Sequence, residues 1–382
     1  MADLRTKFCG LGLANPFVVA ASPATETLEN IIKCAEHGAG AVITKSIGLT
    51  SEPRGDNDVR RVRYQPTFGM WMLSTFRREI LALEEGLRLV SNASTATSIP
   101  IIASVCVSNT DPNEWARVCS ALADVGASMV QLDLYYFPRP MHLPEHQRML
   151  AKVIRKVSSN LKVPLMIKLS SDISPDVVAQ ILDVVPIDAV CYLDSVRLAN
   201  PISIEDRGMP SYHFVKHAGP CSLAGPWIRP LTMYYTQELS RLVPLPLCAC
   251  GGLSTSEDAI EALMRGATVI SAATGILVNG FGFIQTIVAG IADFLDRRQF
   301  HSVDAIRGLA CQHGQCIDQS VFLPAVAEID QDICSQCGDC VRLVFCDAVE
   351  RGGKIHVRQQ ACEGCGLCVD ICPVGAIRLV AT

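Results

Sequence analysis

The sequence lacks a basic excess: Lys and Arg number 33 against 38 Asp and Glu, for a formal net charge of −5. A protein that tracks phosphate backbones needs a concentrated positive face, so nucleic acid is excluded as the expected partner. No G-x-G-x-x-G occurs anywhere in the 382 residues, so the chain has no dinucleotide fingerprint of its own for NAD or FAD. Met1 to Gly10 carries charged residues and no apolar stretch, which argues against a secretion signal. No intact membrane span is present either. Ala267 to Ala292 is free of charge and long enough, but Gly275, Asn279, Gly280 and Gly282 break it where a strand would turn into a helix.

What the chain has in quantity is cysteine, 18 in all. Ten are scattered, mostly in apolar runs where a thiol behaves as a small hydrophobe, and together with the cluster motifs of the tail they argue for a reducing cytoplasm rather than a disulfide framework. Among them, Cys311 and Cys316 form a C-x4-C pair in a polar segment, read either as a redox device or as ordinary linker residues. The other eight crowd into the tail in two runs: Cys334, Cys337, Cys340 and Cys346, then Cys362, Cys365, Cys368 and Cys372 before Pro373. The second run is C-x2-C-x2-C-x3-C-P, in which three thiolates hold one cubane and the fourth reaches across to another. The first run departs from this spacing, because five residues separate Cys340 from Cys346. Reciprocal ligation still gives two [4Fe–4S] clusters, one on Cys334, Cys337, Cys340 and Cys372, the other on Cys362, Cys365, Cys368 and Cys346. Structural zinc is the competing reading, and His356 is the one histidine near ligand spacing.

The clusters need fewer than sixty residues. Ahead of them, near-continuous apolar runs recur at Phe17–Ser22, Ala41–Ser46, Ile101–Val107, Met129–Tyr135, Leu165–Leu169, Ala189–Asp194, Leu245–Gly252 and Thr268–Thr274, with helical periodicity between them. Such runs are strands of a parallel sheet covered on both faces, and eight strand–helix units predict an α/β (β/α)8 TIM barrel. An open doubly wound sheet is the alternative. The expected organisation is a barrel over 1–300, a linker over 301–328 and a two-cluster ferredoxin-like domain over 329–382.

Chemistry in a TIM barrel sits where the strands end. Those ends carry Ser22, Thr44, Lys45, Asp133, Tyr135, Tyr136, Lys168, Asp194, Ser195, Gly251, Gly252 and Thr274. Strands seven and eight close in Cys250-Gly251-Gly252 and Ala273-Thr274-Gly275, turns whose amides can approach a phosphate. One-electron clusters do organic redox chemistry only through a two-electron partner, so a flavin fits that phosphate site. Lys45 and Lys168 would then stabilise a reduced anionic ring or bind its side chain; pairing with Asp133 or Asp194 is the bland alternative.

In order along the chain, Asn15-Pro16-Phe17, Thr44-Lys45-Ser46, Ile167-Lys168-Leu169, Ala224-Gly225-Pro226-Trp227-Ile228-Arg229-Pro230, Cys250-Gly251-Gly252 and Ala273-Thr274-Gly275 stand as the motifs of one family. They resemble those of the class 1 dihydroorotate dehydrogenase and dihydropyrimidine dehydrogenase family. The resemblance implies that Lys45, Lys168, Gly225, Gly252 and Thr274 contact FMN and that the Ser22 region lies against its ring; Thr44, Gly251, Ala273 and Gly275, from the same strand ends and turns, complete the expected cofactor set. The resemblance also implies electron exchange with a flavin reductase subunit or a ferredoxin, within a hetero- or homo-oligomer.

The departures fall on the chemistry. The family's strand four ends in an asparagine that binds substrate, followed by a cysteine that moves a proton; here the stretch is Asp133-Leu134-Tyr135-Tyr136-Phe137-Pro138. The family's asparagine after strand six is replaced by Asp194, beside Ser195. An ionised aspartate only accepts hydrogen bonds, whereas a cyclic amide needs both a donor and an acceptor. The expected substrate is therefore a small polar molecule reduced or oxidised across C=C or C=N, and not uracil or orotate. Tyr135 or Tyr136 is the candidate proton donor, with Lys168 beside the ring, and Arg139, His142 and His146 are possible helpers. The long, charged segment Gly48–Met70 reads as a lid or partner contact. A rival reading makes the chain an electron-transfer subunit whose FMN relays electrons without a substrate of its own.

Overall fold

A computed structural model describes residues 2–49, 61–65, 69–73, 80–134, 143–171, 173–193, 195–199, 201–211, 221–313 and 324–382. The chain divides into two compact units, Met1–Gly314 and Gln315–Thr382.

In the first unit eight parallel strands close a barrel in sequence order: β1 Phe17–Val19, β2 Ala41–Ile43, β3 Ile101–Val105, β4 Met129–Asp133, β5 Leu165–Lys168, β6 Ala189–Tyr192, β7 Leu247–Cys250 and β8 Val269–Ala272. Every residue of these strands is buried, which is why they read as continuous apolar runs rather than as alternating ones. Outside lie α1 Leu28–Glu36, α2 Leu83–Ala96, α3 Pro112–Asp124, α4 Pro144–Ser158, α5 Pro175–Leu182, α6 Arg229–Leu242, α7 Ser256–Met264 and α8 Gly282–Arg297. A short helix, Thr274–Asn279, precedes α8.

The barrel has two cores. One lies between strands and helices, around residues such as Trp115, Ile154 and Ile287. The other fills the interior with Val18, Ile102, Met129, Met166, Ala189, Cys248 and Val269. An N-terminal hairpin, Thr6–Phe8 with Leu11–Leu13, adds Phe8 and Leu13 to that filling. Interior residues nearer the strand C-termini are polar: Ser104, Gln131, Asp133, Lys168 and Ser271 are all buried. The apolar filling therefore gives way to a polar layer at the C-terminal end of the strands.

Two loops on that end build a second sheet. Strands Arg61–Gln65 and Gly69–Leu73, from the loop after β2, pair with each other and then with Cys221–Ala224 and Val196–Leu198, from the loop after β6. Part of the segment read as a lid or partner contact is thus anchored by backbone pairing, with Met70 opposite Ala224. Arg54, Asp56, Asp58 and Arg60 lie outside the described residues.

The segment expected as a linker starts on the barrel. Val303 and Ile306 are fully buried in its outer core, and Asp3 bridges to Ser302. Cys311 also belongs here, its thiol 3.3 Å from Ser240 Oγ and 3.4 Å from the Arg265 carbonyl; Cys316 lies outside the described residues. At its other end, Ala325–Ile329 pairs antiparallel with Ile377–Ala381, the outer sheet of the second unit, which also holds a hairpin, Val349–Arg351 with Ile355–Val357.

Candidate active site and cluster centres

Ser22 follows β1 and caps a short helical turn: its hydroxyl accepts from the Ala24 amide at 3.2 Å. Thr44, at the end of β2, is fully buried, and its hydroxyl accepts from the Ser104 amide at 3.1 Å, tying β2 to β3. Its side chain thus serves the barrel wall. Lys45, next in the chain, is half-buried and its amide donates to the Thr25 carbonyl at 3.1 Å.

Ser46 was not legible as a site residue, yet it sits at the centre of the polar layer. Its hydroxyl donates to Asp133 Oδ2 at 3.0 Å and lies 3.3 Å from Ser104 Oγ. The parallel register then runs from Asp133 on β4 to Lys168 on β5, to Cys191 on β6, to Cys248 on β7. The Cys191 thiol lies well above its ordinary range, chiefly through its hydrogen bond with Cys248 and also through burial, while the Lys168 ammonium acts the other way. Tyr135, Tyr136, Arg139, His142 and Asp194 lie outside the described residues. His146 is placed in the first turn of α4, and Ser195 is buried where the Val196–Leu198 strand begins.

The glycine turn after β7 is held from below by α6. Thr232, fully buried, donates its hydroxyl to the Gly251 carbonyl at 2.8 Å. Gly252 has φ +79°, and a Cβ there would lie 2.4 Å from the Arg229 backbone nitrogen. Arg229 in turn reaches Asp258 at 3.3 Å and Glu261 at 2.9 Å on α7, while Asp258 closes the α7 capping box with Thr255. Gly225, with φ 92°, starts the turn Pro226–Ile228 that leads into α6. Ala273 and Thr274 open the short helix after β8, and Gly275 is kept small by the Phe283 ring, 2.4 Å from where a Cβ would stand.

Replacing Gly252 with Ala should lower stability by roughly 1–3 kcal/mol, because left-handed backbone is strained for an L-residue and the colliding atom belongs to the main chain. Urea unfolding checks this. An unchanged midpoint would show that the turn relaxes around the methyl group.

These features fit a phosphate-bearing flavin. At Gly252 a Cβ would collide with the Arg229 main chain, so the turn after β7 presents bare backbone at that position. Deeper in the barrel, the amide of Gln131 and the hydroxyl of Ser271 are buried with no hydrogen-bond partner among the described residues, so the polar layer retains capacity for a ligand or water. Among those residues no helix is long and apolar enough to cross a membrane.

In the second unit the thiols gather as two sets that cross between the runs. Cys346 from the first run and Cys362, Cys365 and Cys368 from the second line one cavity of about 90 Å³. Burial pushes the Cys368 thiol up to about 11, helped by Cys365, Cys362 and Cys346, with Cys340 the last contributor. Burial raises Cys340 too, and its neighbours are Cys337, Cys334 and Cys372. N–H donors reach the sulfurs: Ala327 N to Cys362 at 3.3 Å, Ala376 N to Cys372 at 3.2 Å and Gln336 Nε2 to Cys334 at 3.3 Å. Gly364, with φ +69°, brings its backbone so near the Ala325 carbonyl that a Cβ would stand 2.4 Å from that oxygen.

The sequence profile of dihydroorotate dehydrogenase matches residues 3–295, the whole barrel. The chain belongs to the dihydroorotate dehydrogenase family. A 4Fe-4S binding domain profile matches residues 355–378, around the second cysteine run. The chain is 25% identical to the NAD-dependent dihydropyrimidine dehydrogenase subunit PreA of Escherichia coli, over 99% of this chain and 95% of that protein. It is 26% identical to the catalytic subunit of dihydroorotate dehydrogenase B (NAD(+)) of Thermoplasma acidophilum, over 81% of this chain and 99% of that one. The corresponding subunit of Methanocella arvoryzae is 27% identical, over 79% of this chain and 95% of that one. As a dihydroorotate dehydrogenase family member with a 4Fe-4S domain, the protein is a flavin-dependent oxidoreductase acting on CH–CH or CH–N bonds, with FMN and iron–sulfur as its redox groups.

Proposed function

We propose that this oxidoreductase reduces or oxidises a C=C or C=N bond of a small polar substrate other than uracil or orotate, passing electrons between FMN and two [4Fe–4S] clusters. The observation that carries the reading is the polar layer at the C-terminal end of the barrel, where Asp133 stands with Ser46 and Lys168. A carboxylate at that place favours a ligand that presents donors, such as hydroxyls or a protonated nitrogen. FMN supplies hydride chemistry when bound. Lys168 and Lys45 would lie toward its ring and side chain, with Ser22, Thr44 and Gly225 contributing to the cradle. The backbone around Gly251, Gly252, Ala273, Thr274 and Gly275 would hold its phosphate. Asp133, Asp194 and Ser195 would orient the substrate, and Tyr135 or Tyr136 would supply or take the proton.

The cluster ligands in this reading are Cys334, Cys337, Cys340 and Cys372 for one cubane, and Cys346, Cys362, Cys365 and Cys368 for the other. The chain carries no dinucleotide fingerprint of its own, so its electrons come through a flavin reductase subunit or a ferredoxin; the name of the E. coli relative as a subunit supports an assembled complex. Free thiols throughout the chain suit a reducing compartment such as the cytoplasm.

Removing the lysine tests the cofactor side. Lys168→Ala should weaken FMN retention or lower the flavin's potential, because positive charge near the ring stabilises the reduced anion; unchanged flavin content and potential would assign Lys168 to structure alone. Turnover tests the substrate side. Variants at Tyr135, Tyr136, Asp133 and Asp194 should each slow substrate oxidation or reduction in the assembled complex. Full activity in all four would instead make the barrel an electron relay.

A further inference from the structure

Hydrogen bonds do not serve the sulfurs of the tail alike. Among the described residues, Cys362 and Cys372 each receive a main-chain amide, from Ala327 and Ala376, whereas Cys334 receives a side-chain donor, Gln336 Nε2 at 3.3 Å. Gln336 lies between Cys334 and Cys337, at a position that ligand spacing leaves open. Its amide is held at both ends. Oε1 accepts from the Ile355 amide at 2.8 Å, and Nε2 donates to Gln331 Oε1 at 3.2 Å as well as to the sulfur. Gln331 is itself fixed, since its Nε2 donates to the Ile355 carbonyl at 2.8 Å. The network therefore sets which way the Gln336 amide points. Turned over, its oxygen would face the sulfur and the Gln331 oxygen, and its NH2 would face the Ile355 N–H. The main chain serves the same end. Gln336 has φ 58°, left-handed backbone where glycine is the ordinary choice, and Arg351 donates to its carbonyl at 2.9 Å. Backbone strain kept beside a ligand sulfur, where glycine would relieve it, points to a task for the side chain.

We propose that Gln336 raises the reduction potential of the cluster on Cys334, Cys337, Cys340 and Cys372 above that of its neighbour, so that this cluster is the first in the tail to take an electron. The inference rests on the two-cluster reading above. Reduction adds negative charge that spreads onto the thiolate sulfurs, and an N–H aimed at one of them stabilises the reduced form more than the oxidised one. With Ala376 on Cys372, two N–H groups reach the sulfurs of this set, against one, from Ala327, in the other set of described residues. Electrons exchanged with the flavin then rest on one defined cubane, while the second stays the stronger reductant. Gln336 acts through the Cys334 sulfur and is a positioning residue in this scheme.

The test is an anaerobic redox titration of the full-length protein, followed by EPR of the reduced clusters. Q336L removes the donor and keeps the side chain near its original size. The preference of one cluster for its reduced form should fall about tenfold, roughly 59 mV downward for a one-electron couple, with the other cluster within about threefold of its original value. Q336E keeps an oxygen for the Ile355 amide and sets negative charge beside the sulfur, so its shift should go the same way and be larger. It also decides the matter if Q336L does not assemble its clusters. Q336L/C346S assigns the shift, because the signal that survives in C346S should be the one that moves. Assembled clusters with unchanged potentials, or a shift confined to the signal that C346S abolishes, would overturn the inference and leave Gln336 a clamp on the Val349–Arg351 hairpin. About four iron per chain in the unmodified protein would instead overturn the two-cluster reading, and iron content alone tells the two failures apart.

Discussion

Cys346→Ser should abolish the cluster held by Cys362, Cys365 and Cys368, even though Cys346 belongs to the other cysteine run. Cys346 lines one cavity with all three of those thiols. Cys372 completes the opposite exchange, beside Cys340 with Cys334 and Cys337. The two additional residues between Cys340 and Cys346, relative to the usual spacing, are taken up locally: Cys340–Arg342 forms a helical turn, and the Cys346 amide bonds back to the Leu343 carbonyl at 3.1 Å. The expected iron content of the variant is about half that of the unmodified protein. EPR of the reduced protein should lose one cluster signal. Loss confined to the cluster of Cys334, Cys337 and Cys340 would show that the longer spacing imposes an uncrossed ligand set.

The barrel was legible in the sequence because its strands are buried on both faces and so appear as unbroken apolar runs, bounded by helices of clear period. The second cysteine run was legible because cluster ligation dictates spacing. Other features depend on contacts distant in sequence. The sheet over the barrel mouth pairs Trp71 with Leu223, and neither short strand announces the other. Ser46 meets Asp133 across 87 positions of chain. Val303 and Ile306 anchor the segment expected as linker, but two apolar residues are too few to set a period. Thr44 and Gly275 appear in the family motifs, and the structure gives them packing tasks that a motif does not distinguish from cofactor contact. That Asp133 and Lys168 stand directly opposite each other on β4 and β5 became visible only once the strand register was known.

Dihydroorotate and uracil should both be poor substrates. A buried carboxylate accepts hydrogen bonds and donates none, so each place where a cyclic amide presents an acceptor to it costs roughly 1–3 kcal/mol. Mismatches at Asp133 and Asp194 together should reduce binding by about two orders of magnitude or more. D133N/D194N should recover pyrimidine binding without turnover, because Tyr135 and Tyr136 still occupy the stretch where the family carries its proton-transferring cysteine. Equilibrium binding and stopped-flow flavin reduction separate these two effects. Rapid flavin-coupled uracil reduction by the unmodified protein, given a competent electron donor, would place it among ordinary dihydropyrimidine dehydrogenases.

The central claim is that a flavin in the barrel works with two cubanes in the tail, and cofactor content after anaerobic purification tests it most directly. The account predicts one FMN and about eight iron with eight sulfide per chain. Protein that is folded and iron-loaded yet free of flavin would contradict it.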